Sequence, residues 1–420
     1  MHILIISNIE WSNENAFGNT ISNWFEGMDG VRFSSIYCRS DLPNNKVCQR
    51  YYSITPQSIL RHFISREKIG RKFTLDASCV VPAVSRKSKE RKFIQFLHRH
   101  NIKFLNALTD FLFRTRRWNN HQFRNFILED KPDIVFSFVT GSTSMYLLTE
   151  EIKHLVPSCK TVYFIADDVY SAHGMSSRRR IRETICFADR VYGISPMLCE
   201  AYQKEFNVPV YLLHKGCHFK GSFSPNSTDV EKITMVYAGN LQYGRDDTLA
   251  MLAKEIAAYN QLHDKKIELK IFSASPISEK YATILNDRVN VFFEGAKTNL
   301  EVQRELSLAT FALHVESFSP QWQKVVRYSF STKITDCMES GSLLFAVGPS
   351  SIASIALAKE IPGAIVADDP ERIREVLAGI DQLELTERRK RLHDYALENY
   401  SIRQLQKGLY SDFRKLCLEV

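Results

Sequence analysis

The feature that most restricts what this chain can fold into is an alternation of short apolar runs with helical periodicity. The runs lie at residues 2–7, 31–37, 134–139, 161–166, 190–194 and 208–214, then at 233–238, 267–273, 289–293, 311–315, 343–347 and 365–367. Most are almost continuously apolar rather than alternating, the pattern of strands covered on both faces. Strand, loop and helix in that rhythm predict an α/β chain with parallel sheets in both halves. Residues 221–228, rich in Ser, Pro and Asn, break the rhythm and mark a linker. No repeat of solenoid period is present. The expected domains are residues 1–218 and residues 219–402, with a terminal helix at 403–420.

Chemistry concentrates between His314 and Gly348. The apolar run at 311–315 ends at an acid, Glu316. A helix is expected to begin at Ser331-Thr332, both suitable caps, and it places Lys333 and Asp336 three positions apart on one face. Ser340-Gly341 stops it, and the strand 343–347 follows. A helix N-terminus carrying a lysine at the mouth of a parallel sheet suits an anion such as a diphosphate. A second candidate follows the strand 233–238, where Gly239-Asn240-Leu241-Gln242-Tyr243-Gly244-Arg245 opens a helix. A strand, a glycine loop and a basic residue at a helix start form a phosphate-handling arrangement.

The 331–341 segment, Ser-Thr-Lys-Ile-Thr-Asp-Cys-Met-Glu-Ser-Gly, resembles the donor-nucleotide signature of GT-B glycosyltransferases. It is most similar to the large retaining family that builds bacterial surface polysaccharides, whose helix runs Ser-Lys-x-x-Glu-Tyr-x-x-x-Gly. One residue is inserted before the lysine here. The resemblance implies two Rossmann-like parallel-sheet domains facing a cleft, with a C-terminal helix crossing back to the first. It implies that Arg245 and Lys333 grip a donor diphosphate and that Asp336 holds the ribose. The family's other glutamate aligns with Tyr328; either Glu316 takes its place or the donor is held differently. The Phe293-Glu294-Gly295-Ala296 turn resembles the place where relatives contact the nucleobase, so Gly239, Asn240 and Gly295 are assigned to the nucleobase and cleft loops.

In the first half, the loop after the first strand carries Asn15, Phe17 and Gly18 ahead of a helix expected from about Thr20. Loops at the carboxyl edge of a parallel sheet bind ligands, and in relatives this loop lines the interdomain cleft near donor and acceptor, so the resemblance implies an acceptor-side role for these three residues. Gly18 also reads as an ordinary turn glycine. Asp167-Asp168, with His173 just beyond, ends another strand and is placed for acid–base chemistry, although surface acids there are common. Asp168, His173 and Glu316 are the candidates for contact with sugar or acceptor.

The net charge of +8 is unevenly spread: residues 60–124 hold 16 Lys/Arg against 4 Asp/Glu, so the rest of the chain is net acidic. Phe93, Phe96, Leu97, Phe104, Leu108, Phe111 and Leu112 recur at helical spacing among Arg91, Lys92, Arg99, Lys103, Arg114, Arg116 and Arg117. That stripe either lies on an anionic membrane or is core under a solvated face. No RNA-binding motif accompanies it, and no nucleic-acid partner is expected. The nine cysteines show no Cys-x-x-Cys pairing, which fits reduced thiols better than disulfides or zinc. No run is long enough to span a bilayer, and the N-terminus lacks a signal peptide's basic start. The expected location is cytoplasmic, peripheral on the inner face of the membrane.

The expectation is thus a glycosyltransferase that carries a sugar from a nucleoside diphosphate to a glycan or lipid-linked acceptor. It is expected to retain anomeric configuration and to need no metal or other cofactor, since no Asp-x-Asp occurs. Two rivals share the sequence features. A sugar-nucleotide epimerase uses the same scaffold without an acceptor, and a basic scaffold or nucleic-acid-binding protein uses none of the donor residues.

Overall fold

Fourteen strands form two sheets in the computed structural model, which describes residues 1–75, 102–219 and 232–419. In chain order they are β1 (His2–Ser7), β2 (Arg32–Tyr37), β3 (Arg50–Ser53), β4 (Arg71–Thr74), β5 (Ile134–Phe138), β6 (Lys160–Ile165), β7 (Arg190–Gly193), β8 (Tyr211–Leu212), β9 (Lys232–Ala238), β10 (Lys266–Phe272), β11 (Val291–Gly295), β12 (Phe311–Val315), β13 (Leu343–Val347) and β14 (Ile365–Ala367). The first sheet runs β4-β3-β2-β1-β5-β6-β7-β8 and the second β11-β10-β9-β12-β13-β14. In each, the strand order reverses once, between β1 and β5 and between β9 and β12. That is the doubly wound pattern, and its reversal point is where such sheets bind ligands.

The chain forms two compact units, Met1–Gly193 with Glu200–Tyr211 and Gln406–Val420, and Ile194–Cys199 with Leu212–Leu405. The change of unit at 211/212 precedes the expected linker, residues 221–228, which lies outside the described residues.

In the first unit, β1 pairs in parallel with β2 and β5, and its residues are buried throughout. One expectation needs correction: the first sheet is not wholly parallel, because β4 pairs antiparallel with β3 at its edge. Tyr51 and Phe73 stack across that pair at 5.5 Å, while Glu129 accepts from both Arg50 and Lys72. A second correction concerns the first helix, Ala16–Phe25, which starts four residues before the expected position. The Asn15 side chain accepts from Gly18 N at 2.6 Å and caps it. Gly18 therefore sits inside a helix rather than in a turn. A Cβ there would fall 1.9 Å from the Ser12 carbonyl oxygen, so the glycine lets the preceding loop lie on the helix.

From Gln406 onward, the helix Ile402–Leu418 completes this unit. Gln406 donates to the carbonyls of Asn23 and Glu26 at 2.9 and 2.7 Å. Phe413 is fully buried among Phe25, Phe136 and Tyr192, and Asp412 accepts from the Tyr192 hydroxyl and pairs with Arg190.

Of the basic stripe, residues up to 101 lie outside the described residues. In the helix Ile102–Arg114, Leu112 is buried and Leu108 packs on the core, but Phe111 is 63% exposed. Arg116 is engaged by Glu150 and Glu151. The described part of the stripe is thus split between core and surface.

The second unit has an all-parallel sheet. Every residue of β12 and β13 is buried. The helix Thr332–Ser340 runs between them from an N-cap at Ser331, and Gly341 ends it at φ 79°, where glycine avoids a side-chain clash.

Candidate functional site

The reversal point of the second sheet brings together the loop after β9 and the segment after β12. Arg245 is the first residue of the helix Arg245–Leu262, and Glu316 directly follows β12. The two form a bidentate pair, Arg245 Nε to Glu316 Oε2 at 3.2 Å and Nη2 to Oε1 at 3.0 Å. Nη1 donates to Asn240 Oδ1 at 2.7 Å, and the Asn240 carbonyl accepts from the Tyr237 hydroxyl at 2.6 Å. Arg245 is 9% exposed and Glu316 2%. Burial works against the Arg245 charge and Glu316 overcomes it, so the guanidinium titrates above its usual range. Three of its five donors are committed, and Glu316 is committed to holding it. Glu316 therefore acts as the counter-ion of Arg245 in this structure, a role the sequence reading did not assign to it.

Lys333 comes from the first turn of the Thr332–Ser340 helix. Its Nζ lies 3.5 Å from the Tyr237 hydroxyl and 5.0 Å from the centre of that ring. Among the described residues no carboxylate forms an ion pair with it. Burial, and then the charge of Arg245, push the ammonium down to about 8, with Glu316 offsetting part of the effect. Gly239 makes room for it: a Cβ there would fall 1.8 Å from Lys333 Nζ.

His314, on β12, was missed as a site residue. It is 1% exposed, hydrogen-bonds through Nε2 to Ser354 Oγ at 2.9 Å and lies 3.7 Å from Glu316 Oε1. Burial and then the Lys333 and Arg245 charges hold its titration well below the usual range, so the ring is neutral. With Arg245 and Glu316 cancelling, Lys333 carries the net charge of this constellation. A polar side chain in an otherwise apolar strand was the signal in the sequence, and Tyr237 in β9 is a second example.

Of the other expected donor residues, Asp336 stands one turn beyond Lys333 on the same helix, and Gly295 lies further off in the unit. Asp336 pairs with Lys215 at 2.5 Å, in the segment where Cys217 bridges Ser401. Gly295 ends β11, the outermost strand, with β10 between it and β9; its φ is 69°.

Within the first unit, Asp168 caps the short helix Val169–Ala172 and accepts from the Ser171 amide at 3.1 Å and the Tyr202 hydroxyl at 2.9 Å. His173 Nδ1 hydrogen-bonds the Val169 carbonyl at 2.7 Å. Its ring lies against Gly141 in the loop after β5, where a Cβ would meet Nε2 at 2.1 Å. Arg180 donates to the Gly141 carbonyl at 3.3 Å. Asn15 and Gly18 fix the start of the first helix, and Phe17 packs on Phe138 at 4.9 Å. Among the described residues, no three His, Cys, Asp or Glu side chains are grouped to hold a metal ion.

No protein-family model matches this chain, and no curated protein matches its sequence. Solved structures do. The E. coli trehalose-6-phosphate protein bound with UDP-2-fluoro glucose is 11% identical, with a TM-score of 0.58 over 98% of this chain and 99% of that one. The α,α-trehalose-phosphate synthase (UDP-forming) from Burkholderia vietnamiensis is 10% identical, with a TM-score of 0.59 over 99% and 100%. The pneumococcal O-GlcNAc transferase GtfA, in complex with UDP and GlcNAc, is 10% identical, with a TM-score of 0.51 over 71% and 60%. Two doubly wound sheets, matched end to end by such enzymes, give this chain the GT-B glycosyltransferase fold.

Proposed function

We propose that this protein is a glycosyltransferase that moves a sugar from a nucleoside-diphosphate donor to a glycan or lipid-linked acceptor during cell-surface polysaccharide synthesis. The observation that carries the reading is Lys333, a half-buried cation without a carboxylate partner at the reversal point of the second sheet. An ammonium kept there at an energetic cost is matched by an anionic ligand, and the end-to-end likeness to UDP-sugar enzymes supports a nucleoside diphosphate.

The demanding event is departure of the diphosphate, which gains negative charge as the bond to the sugar's anomeric carbon breaks. Lys333, with the first-turn amides of its helix, stabilises that charge, and removal of one such group typically slows a reaction by two to three decades. Arg245, fixed by Glu316 and Asn240, adds positive potential and offers its two remaining donors. Configuration is retained, with the departing phosphate taking the acceptor's proton, and no metal is required. Asp336 reaches the ribose once it releases Lys215, Gly295 borders the nucleobase, and Asp168 and His173 serve the sugar or acceptor. The basic sequence region 60–124 supplies the contact with the anionic inner face of the membrane; among the described residues no helix is long and apolar enough to cross one.

A thermal-shift screen across UDP-, GDP-, ADP- and dTDP-sugars tests this reading. At least one should stabilise the protein, and Lys333→Ala should abolish the shift while leaving the circular dichroism unchanged. No shift with any of them, or an equal shift in Lys333→Ala, would refute the donor site. Sugar interconversion without acceptor would point instead to an epimerase.

A further inference from the structure

We infer that Tyr243 and Trp322 form an aromatic corner that packs against the donor's sugar ring and sets which sugar is accepted. The inference rests on the donor-site reading above and extends it to two residues that had no assigned role in the sequence.

Three observations support it. Tyr243 adopts φ 60°, a left-handed conformation uncommon for a residue with a side chain, and Gly244 follows at φ 71°. Strain of this kind persists only where the surroundings enforce it, and it gathers at ligand sites. The two left-handed residues turn the loop so that the Tyr243 ring stands beside Trp322 at 5.8 Å and 74°, while Tyr243 stays 39% exposed. The turn is closely fitted: a Cβ on Gly244 would fall 2.5 Å from both Trp322 Cδ1 and Ser317 Oγ. The corner also adjoins the charged group, since the Arg245 guanidinium lies 5.6 Å from the Tyr243 ring. Trp322 stands on the helix Pro320–Val326, a few residues beyond Glu316.

An apolar wall beside a diphosphate site suits a part of the donor with one C–H face and polar edges. Two rings near a right angle make a corner, not a slot. A puckered pyranose can rest its axial C–H face on one ring and an edge on the other. A flat base is held best between parallel planes, which this pair does not offer.

The test compares nucleotide sugars with their parent diphosphates by isothermal calorimetry, using UDP-glucose, UDP-N-acetylglucosamine and UDP, then GDP-mannose and GDP. The variants are Trp322→Ala and Tyr243→Asn, the latter because Asn tolerates the left-handed backbone. Each should weaken binding of the preferred nucleotide sugar by about tenfold, the scale of one aromatic contact, and leave the diphosphate's affinity unchanged. Trp322→Phe should restore part of the loss. Equal weakening for diphosphate and nucleotide sugar would assign the corner to the base and overturn the proposal, as would no weakening of either. If the wild-type protein binds the diphosphates but no nucleotide sugar more tightly, the corner fails while the diphosphate site stands. If it binds none of these, nor any ADP- or dTDP-sugar, the donor-site reading itself fails.

Discussion

Replacing Lys333 by Met should make the unliganded protein more stable while abolishing its response to sugar nucleotides. A lysine that titrates near 10.5 in the unfolded chain and at about 8 in the folded one destabilises the fold at neutral pH. At 1.36 kcal/mol per tenfold change, that cost is about 3 kcal/mol. Lys333 is partly open to water, which screens the effect, so an expected gain of about 1–3 kcal/mol is reasonable. Met keeps the length and apolar stem of Lys, so little packing is lost. The sign is fixed by linkage. Below pH 8 both states hold the proton and the cost is fully present. Between about 8 and 10.5 the folded protein releases a proton that the unfolded chain retains, so wild-type stability gains on the variant as pH rises. Urea denaturation at pH 7 and at steps up to 10.5 should show the variant's advantage shrinking across that window. A nucleotide sugar at one hundred times its dissociation constant should add about 2.7 kcal/mol to the wild type and nothing to the variant. A variant no more stable than wild type at pH 7, or an advantage constant to pH 10.5, would refute the account of Lys333 as a strained cation.

Three further outcomes follow from the same geometry. Glu316→Ala strands a buried guanidinium and should destabilise the second unit by about 3–5 kcal/mol, whereas Arg245→Met with Glu316→Leu should recover most of that in urea melts; equal destabilisation would argue against the pair. Gly239→Ala places a Cβ 1.8 Å from Lys333 Nζ and should displace the ammonium, so its thermal shift with nucleotide sugars should vanish as in Lys333→Ala; a retained shift would mean the lysine is not the ligand. The helix Pro56–Ser65 exposes Phe63 by 50% and Ile64 by 79%, near Arg61 and Arg66. Phe63→Ser with Ile64→Ser should reduce sedimentation with phosphatidylserine-containing liposomes, and unchanged sedimentation would remove this face from the proposed membrane contact.

What could be read from the sequence was mostly local. The helix limits at Ser331 and Gly341 depend on capping chemistry within a few residues, and the buried strands depend on uninterrupted apolar runs such as 343–347. β3 and β4, Arg-Tyr-Tyr-Ser and Arg-Lys-Phe-Thr, were not recognised, because each is only four residues long and its polar residues mask the apolar signal, most of all in β4 at the sheet edge. The start of the first helix was misplaced because Asn15 and Gly18 look like turn residues until the Asn15 cap is seen. Partners far apart in the chain were hidden. Arg245 and Glu316 are 71 residues apart, and Lys215 and Asp336 are 121 apart. The first pairing is set by how the sheet places β9 beside β12 and the second by where the loop after β8 meets the Thr332–Ser340 helix, which no single stretch encodes. His314 was in view but was read only as part of a strand, since burial and neighbouring charge decide its state.

The helix Ile402–Leu418 also shapes how the molecule can be made. The aromatic surface it covers, around Phe25, Phe136 and Tyr192, is complete once Tyr192 is synthesised, roughly 220 residues ahead of Phe413. At about 5–20 residues per second, that surface waits some 10–40 s for its cover. Nascent chains should therefore need a chaperone over that interval, and stop codons placed before 402 should yield aggregates rather than a smaller soluble product.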